Sequence, residues 1–151
     1  MLRFVYFRDA AYVTRQGMRG RDHDIQGSVV PRQVCKKTCK GFCGYPVATV
    51  AFYGPDDTRA TKVAVGIVAY EDADADPVER WFCKTTDARI DPEVAEAIVR
   101  FIDHHGVKSV AAFDRIIGCP HEEGIDYPEG EKCTQCSFWA NRDRWSGEII
   151  Q

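Results

Sequence analysis

Two apolar runs set close together, residues 47–53 (VATVAFY) and 62–70 (KVAVGIVAY), constrain this chain more than any other feature. Each has strand length and is rich in β-branched side chains. The eight residues between them, GPDDTRAT, carry the Gly, Pro and Asp that turn a backbone. A hairpin is expected. Both runs are apolar at successive positions rather than at alternate ones, so the hairpin is expected at the centre of a sheet with both faces covered.

The rest of the chain supplies the cover. The acidic stretch 71–77 (EDADADP) reads as a turn, and residues 78–83 alternate as a third strand with Val78, Arg80 and Phe82 on one side and Glu79, Trp81 and Cys83 on the other. A helix is expected over 92–105. Asp91 can accept from the orphan N–H groups at its start, Pro92 suits the first helical position, and Gly106 is placed to end it. Val94, Ile98, Phe101, Ile102 and His105 recur at spacings of three and four and mark the face that packs on the sheet. A fourth strand follows at 107–113. Residues 2–7 read as a further strand that 11–14 continue, and 16–27, with Gly17, Gly20 and Gly27, as a loop or arm.

This order predicts an α+β fold: a mainly antiparallel sheet, one principal amphipathic helix and a C-terminal zinc-bound loop. At 151 residues the chain suits a single domain, 1–151, that buries roughly 70% of its unfolded surface without needing cross-links. Within it, 1–45 is expected to be a basic, loop-rich arm with a first cysteine cluster, 46–113 the sheet and helix core, and 114–151 the zinc loop and an aromatic tail. With 44% hydrophobic and 28% charged residues, wholesale disorder is excluded.

Seven cysteines are an unusual number for such a chain, and an odd number cannot all pair within it. The start, MLRFVYFRD, has too short an apolar stretch between its arginines for an export signal, and no run approaches a membrane span. A reducing, cytoplasmic setting is therefore expected, in which clustered cysteines point to metal or redox chemistry rather than to structural bridges. The strongest cluster is C-terminal. Cys119, His121, Cys133 and Cys136 form a C-x-H-x11-C-x2-C pattern, two close pairs of ligand-type residues separated by a loop with Gly124, Pro128 and Gly130. Structural zinc takes four nitrogen and sulfur ligands, and two short pairs are a common way to supply them.

A catalytic zinc would need one coordination position left for water. The string from His121 through Cys136 matches the H-x-E and C-x-x-C parts of the zinc deaminase signature only superficially. Nine residues separate Glu123 from Cys133, too few for the intervening elements, and Lys132 stands where that signature has proline. Glu122 or Glu123 would be the general base of such a site. A closed structural ion is the preferred expectation, and a non-enzymatic protein with it.

A second zinc is expected less directly at Cys35, Cys39 and Cys43, with Cys83, or one of His23, His104 and His105, as fourth ligand. On a continuous helix the first and third of these would lie about 12 Å apart, so the segment would have to be a loop to converge on one ion. An iron–sulfur cluster or a thiol redox pair at the cysteine clusters is the enzymatic alternative.

Charge is distributed unevenly. Residues 1–45 carry nine basic side chains against three acids, while the remainder carries eleven against twenty, so a balance of +6 meets one of −9. The basic residues include Arg15, Arg19, Arg21, Arg32, Lys36, Lys37 and Lys40. Such asymmetry suits contact with nucleic acid or with an acidic protein partner, and it suits equally the folding of one part of the chain on the other. No membrane partner is expected. A protein–protein adaptor or inhibitor is the remaining alternative.

Overall fold

The computed structural model describes residues 42–143 and 148–150. Four strands, β1 (Val47–Tyr53), β2 (Lys62–Val68), β3 (Ala75–Phe82) and β4 (Ser109–Ile116), form one sheet in the order β3-β2-β1-β4. Helix α1 (Pro92–His104) lies between β3 and β4 in sequence, and a short 3-10 turn (Ser137–Trp139) follows near the C-terminus. Two of the three strand pairings are antiparallel and the third, β1 with β4, is parallel. The α+β class and the mainly antiparallel sheet are as the sequence leads one to expect. Among the described residues no helix is long and apolar enough to cross a membrane.

The core forms on one face of the central hairpin. Ala48, Val50 and Phe52 of β1 are buried and stand opposite Ile67, Val65 and Val63 of β2. Alternation on a pleated strand puts these six side chains on the same side of the sheet. Val94, Ile98 and Ile102 of α1 join the same buried cluster. Each aliphatic side chain buried there contributes about 1.5–3 kcal/mol relative to leaving it in water. Trp81 packs edge-on to Phe101, with ring centroids 5.8 Å apart, and extends the cluster to β3. The other face of β1, at Val47, Thr49, Ala51 and Tyr53, is half-buried rather than buried.

The ends of α1 follow from its flanking residues. The Asp91 carboxylate accepts hydrogen bonds from the N–H groups of Glu93 (3.0 Å) and Val94 (3.1 Å), as a helix N-cap does. At the other end Gly106 takes a left-handed φ of +59°, where a Cβ would be strained. The chain then needs two more residues before it can pair. The Val107 N–H donates to the Ile102 carbonyl and the Lys108 N–H to the Pro46 carbonyl, so β4 starts at Ser109 rather than at 107 and runs on to Ile116.

The third strand also differs from expectation. It begins at Ala75, so the last part of the acidic stretch is strand and only its first part turns. Pro77, which has no N–H to donate, is tolerated because β3 stands at the end of the sheet order. The expected strand at 2–7 and the loop at 16–27 lie outside the described residues.

Candidate metal centre

The candidate centre is built where β4 leaves the sheet. Beyond Ile116 the Ile117 N–H donates to the Phe52 carbonyl and the Gly54 N–H to the Gly118 carbonyl (both 3.0 Å), which carries the chain along β1 to its very end. Cys119, Pro120 and His121 follow immediately, so the first ligand pair is held against the sheet. The chain then loops out and returns. The Glu122 carbonyl accepts from the N–H groups of Ile125 and Asp126, the Glu122 N–H donates to the Asp126 carboxylate (2.7 Å), and the Gly124 N–H donates to the Tyr127 carbonyl. Gly124 and Gly130 both adopt positive φ, at the two bends where a side chain would be strained.

The return brings Cys133 and Cys136 to the first pair. His121 Nδ1 lies 3.4 Å from the Cys119 sulfur, 3.5 Å from that of Cys133 and 3.4 Å from that of Cys136. All four ligand atoms fall within 4.8 Å of one another. A tetrahedral ion bound at about 2.3 Å to sulfur and about 2.05 Å to nitrogen sets nitrogen–sulfur edges at about 3.6 Å. The observed separations fit that geometry within about 0.2 Å. These residues can therefore hold a metal ion. Cys136 is buried, and its carbonyl starts the 3-10 turn by accepting from the Trp139 N–H.

The thiols differ in their readiness to ionise. Burial pushes Cys119 and Cys136 above the ordinary thiol range. Burial acts the same way on Cys133, but hydrogen bonds from the Gln135 N–H, the Cys119 thiol, and the N–H and thiol of Cys136 together outweigh it and hold that thiol below its usual value. The His121 N–H adds a further donor to the Cys119 sulfur at 3.3 Å. Three sulfurs this close cannot all be thiolates without a cation among them, and a metal ion, when bound, would supply it.

No family model, curated protein or solved structure matches the chain.

The other residues singled out in the sequence fall elsewhere. His23, Cys35, Cys39, Arg15, Arg19, Arg21, Arg32, Lys36, Lys37 and Lys40 lie outside the described residues. Cys43 is disulfide-bonded, and its N–H donates to the Ser109 hydroxyl at 2.8 Å. A disulfide sulfur is not a thiolate ligand. Cys83 is a buried free thiol packed in the core cluster beside Thr86 and Asp91. Among the described residues it joins no group of metal-ligand side chains. Of the two carboxylates considered as a general base, Glu123 accepts from the Gly130 N–H (2.5 Å) and Glu122 from Lys62 (2.5 Å) and Arg80 (2.6 Å).

Two features of the site escape a reading of the sequence. Lys62 opens an apolar strand and looks like a solvated end, yet it is buried and reaches the metal loop. Trp139 belongs to the aromatic tail of the sequence, yet it is tied to the hairpin: the indole N–H donates to the Gly54 carbonyl at 2.8 Å. Neither partner lies near in sequence, so no local pattern announces either bond.

Proposed function

We propose that this protein is a small, non-enzymatic zinc-binding module that engages nucleic acid or an acidic protein partner through its basic N-terminal region. The convergence of Cys119, His121, Cys133 and Cys136 carries the first half of this reading. Three thiolates and one imidazole suit zinc among the abundant divalent ions, and four protein ligands complete a tetrahedron with no position left for a reacting water. Both nearby glutamates are already engaged by Lys62, Arg80 and the Gly130 N–H, which supports a structural ion over a hydrolytic one. A reducing, cytoplasmic setting belongs to this reading: the free thiols at Cys83, Cys119, Cys133 and Cys136 suit it, whereas the disulfide at Cys43 does not. The partner half rests on the +6 balance of residues 1–45.

Elemental analysis of the purified protein tests the first half. One zinc per chain is expected, lost in Cys133→Ser and kept in Cys39→Ser; untreated protein with no metal overturns it. A second zinc, lost in Cys39→Ser, would mark the N-terminal cluster as a metal site too. For the partner half, affinity for duplex DNA or polyglutamate should fall steeply with salt. Neutralising Arg19, Arg21, Lys36 and Lys37 should lower the salt slope on DNA by roughly 1 for each phosphate that no longer meets a cation. Binding that ignores salt, or no binding to either polyanion, counts against it.

A further inference from the structure

Lys62 is the most deeply buried charge described in the molecule, with its side chain only 4% exposed. It is the first residue of β2, paired in register with Tyr53 on one side and Phe82 on the other. Its ammonium group lies 5.2 Å from the centre of the Tyr53 ring and 5.8 Å from that of Phe82. Aromatic faces alone do not replace the water that an ammonium ion gives up on burial; hydrogen-bond acceptors must. Among the described residues, its hydrogen-bond acceptors come from the loop that carries the candidate ligands. Nζ donates to the Pro120 carbonyl at 2.9 Å and to Glu122 Oε1 at 2.5 Å.

Those acceptors belong to the residues on either side of His121. Arg80 of β3 donates from Nε to the same Glu122 oxygen at 2.6 Å. The segment running from one ligand, Cys119, through the next, His121, is thus gripped from the sheet both before and after the imidazole. The grip fixes the peptide and the side chain that flank the ligand, and so limits how the His121 ring can turn away from the three sulfurs. A lysine adds nothing that a buried methionine could not supply if packing were its only task. Its charge is explained by the loop it holds.

We infer that Lys62 is a positioning residue for the metal centre: through Pro120 and Glu122 it holds the Cys119–His121 arm in its ligating conformation and couples metal affinity to docking of the loop on the sheet. The inference rests on the metal-binding reading above. Groups that fix a ligand from outside the coordination sphere typically change metal affinity about 10- to 100-fold when removed.

The test is zinc affinity, measured by competition with a chromophoric chelator at fixed pH, together with denaturant unfolding of the metal-free protein. Lys62→Met should weaken zinc binding about 10- to 100-fold while leaving the unfolding midpoint of metal-free protein near that of the wild type. Lys84, an exposed lysine that lines a surface cleft together with Lys62, Arg80, His121 and Glu122, serves as the control, and Lys84→Met should bind zinc as the wild type does. Glu122→Gln, which keeps the shape and removes the charge, should also weaken binding, and the double variant should lose less than the sum of the two single losses because they share the Lys62–Glu122 contact. If Lys62→Met does not fold, Glu122→Gln decides the question in the same way. A wild type that binds zinc and a variant that binds it within about twofold as tightly overturn the role of Lys62 alone. A wild type that takes up no zinc overturns the metal reading and this one with it.

Discussion

Removing the metal should open the C-terminal loop and leave the sheet and helix standing. The buried cluster is made of β1, β2, α1 and their immediate connections, with Ile116 at the end of β4 and Trp139 as the loop's half-buried contribution. The backbone bonds of the loop itself, such as Gly124 N–H to Tyr127, Asp126 N–H to Glu122 and Trp139 N–H to Cys136, are local. Beyond the ion, the described ties of the loop to the sheet are few: the Gly54–Gly118 bond, the Trp139 indole on Gly54, and the Lys62 and Arg80 contacts to Pro120 and Glu122. An ion that binds only the closed loop, at a free concentration about 1,000 times its dissociation constant, stabilises that state by about 4.1 kcal/mol. Chelation should therefore raise the open population of the loop roughly 1,000-fold. Hydrogen exchange followed by mass spectrometry, with and without chelator, reads this directly. Amides of Gly124, Asp126 and Trp139 should exchange up to three orders of magnitude faster after chelation (about 1,000-fold), while those of β1, β2 and α1 keep their protection. Loop amides that exchange equally in both conditions would refute the reasoning, as would sheet and helix amides that speed up as much as the loop.

Two further outcomes test the fold beneath the site. Ile98 is 2% exposed within the core cluster, so Ile98→Ala should cost about 2–5 kcal/mol in denaturant unfolding, and a loss below about 1 kcal/mol would mean that the helix does not pack as described. Burial would raise the Asp87 carboxyl, but the Arg89 guanidinium, with Nη2 at 2.6 Å, and the Arg89 N–H at 2.9 Å outweigh it and hold the group below the usual carboxylate range. A depressed value means that the stabilisation is full above the unfolded carboxyl value of about 3.9 and is lost as pH falls through the lower folded value. Asp87→Asn should accordingly show a shallower fall in Tm than the wild type between about pH 5 and pH 2, and parallel curves would contradict that role.

The legible parts of this protein are those whose causes lie within a few residues. The hairpin β1–β2 follows from two apolar runs and the turn chemistry between them, and α1 from Asp91, Pro92 and Gly106 around a face of Val94, Ile98 and Ile102. The ligand set is legible for the same reason. Two short pairs, Cys119 with His121 and Cys133 with Cys136, announce themselves by spacing, and the bends at Gly124 and Gly130 allow the loop to close.

Other features come from contacts between residues far apart. That β4 lies beside β1 in parallel, leaving β3 at the opposite end of the sheet, depends on how α1 crosses the sheet, which its own residues do not state. Cys83 reads as a spare ligand, yet it is a core residue because the chain after β3 runs along the hairpin connection, the Cys83 N–H donating to the Thr61 carbonyl and the Ala88 N–H to the Ala60 carbonyl. Lys62 is the sharpest case. A lysine at the head of an apolar strand belongs in water by every local rule, and only the Pro120 carbonyl and the Glu122 carboxylate, brought to it from 58 and 60 residues away, make its burial sustainable. The sequence by itself determined which residues can bind an ion and which elements can form, because periodicity and spacing are local. The tertiary structure decided which charge meets the loop that carries the candidate ligands, because a buried charge is stabilised by whatever the fold places against it.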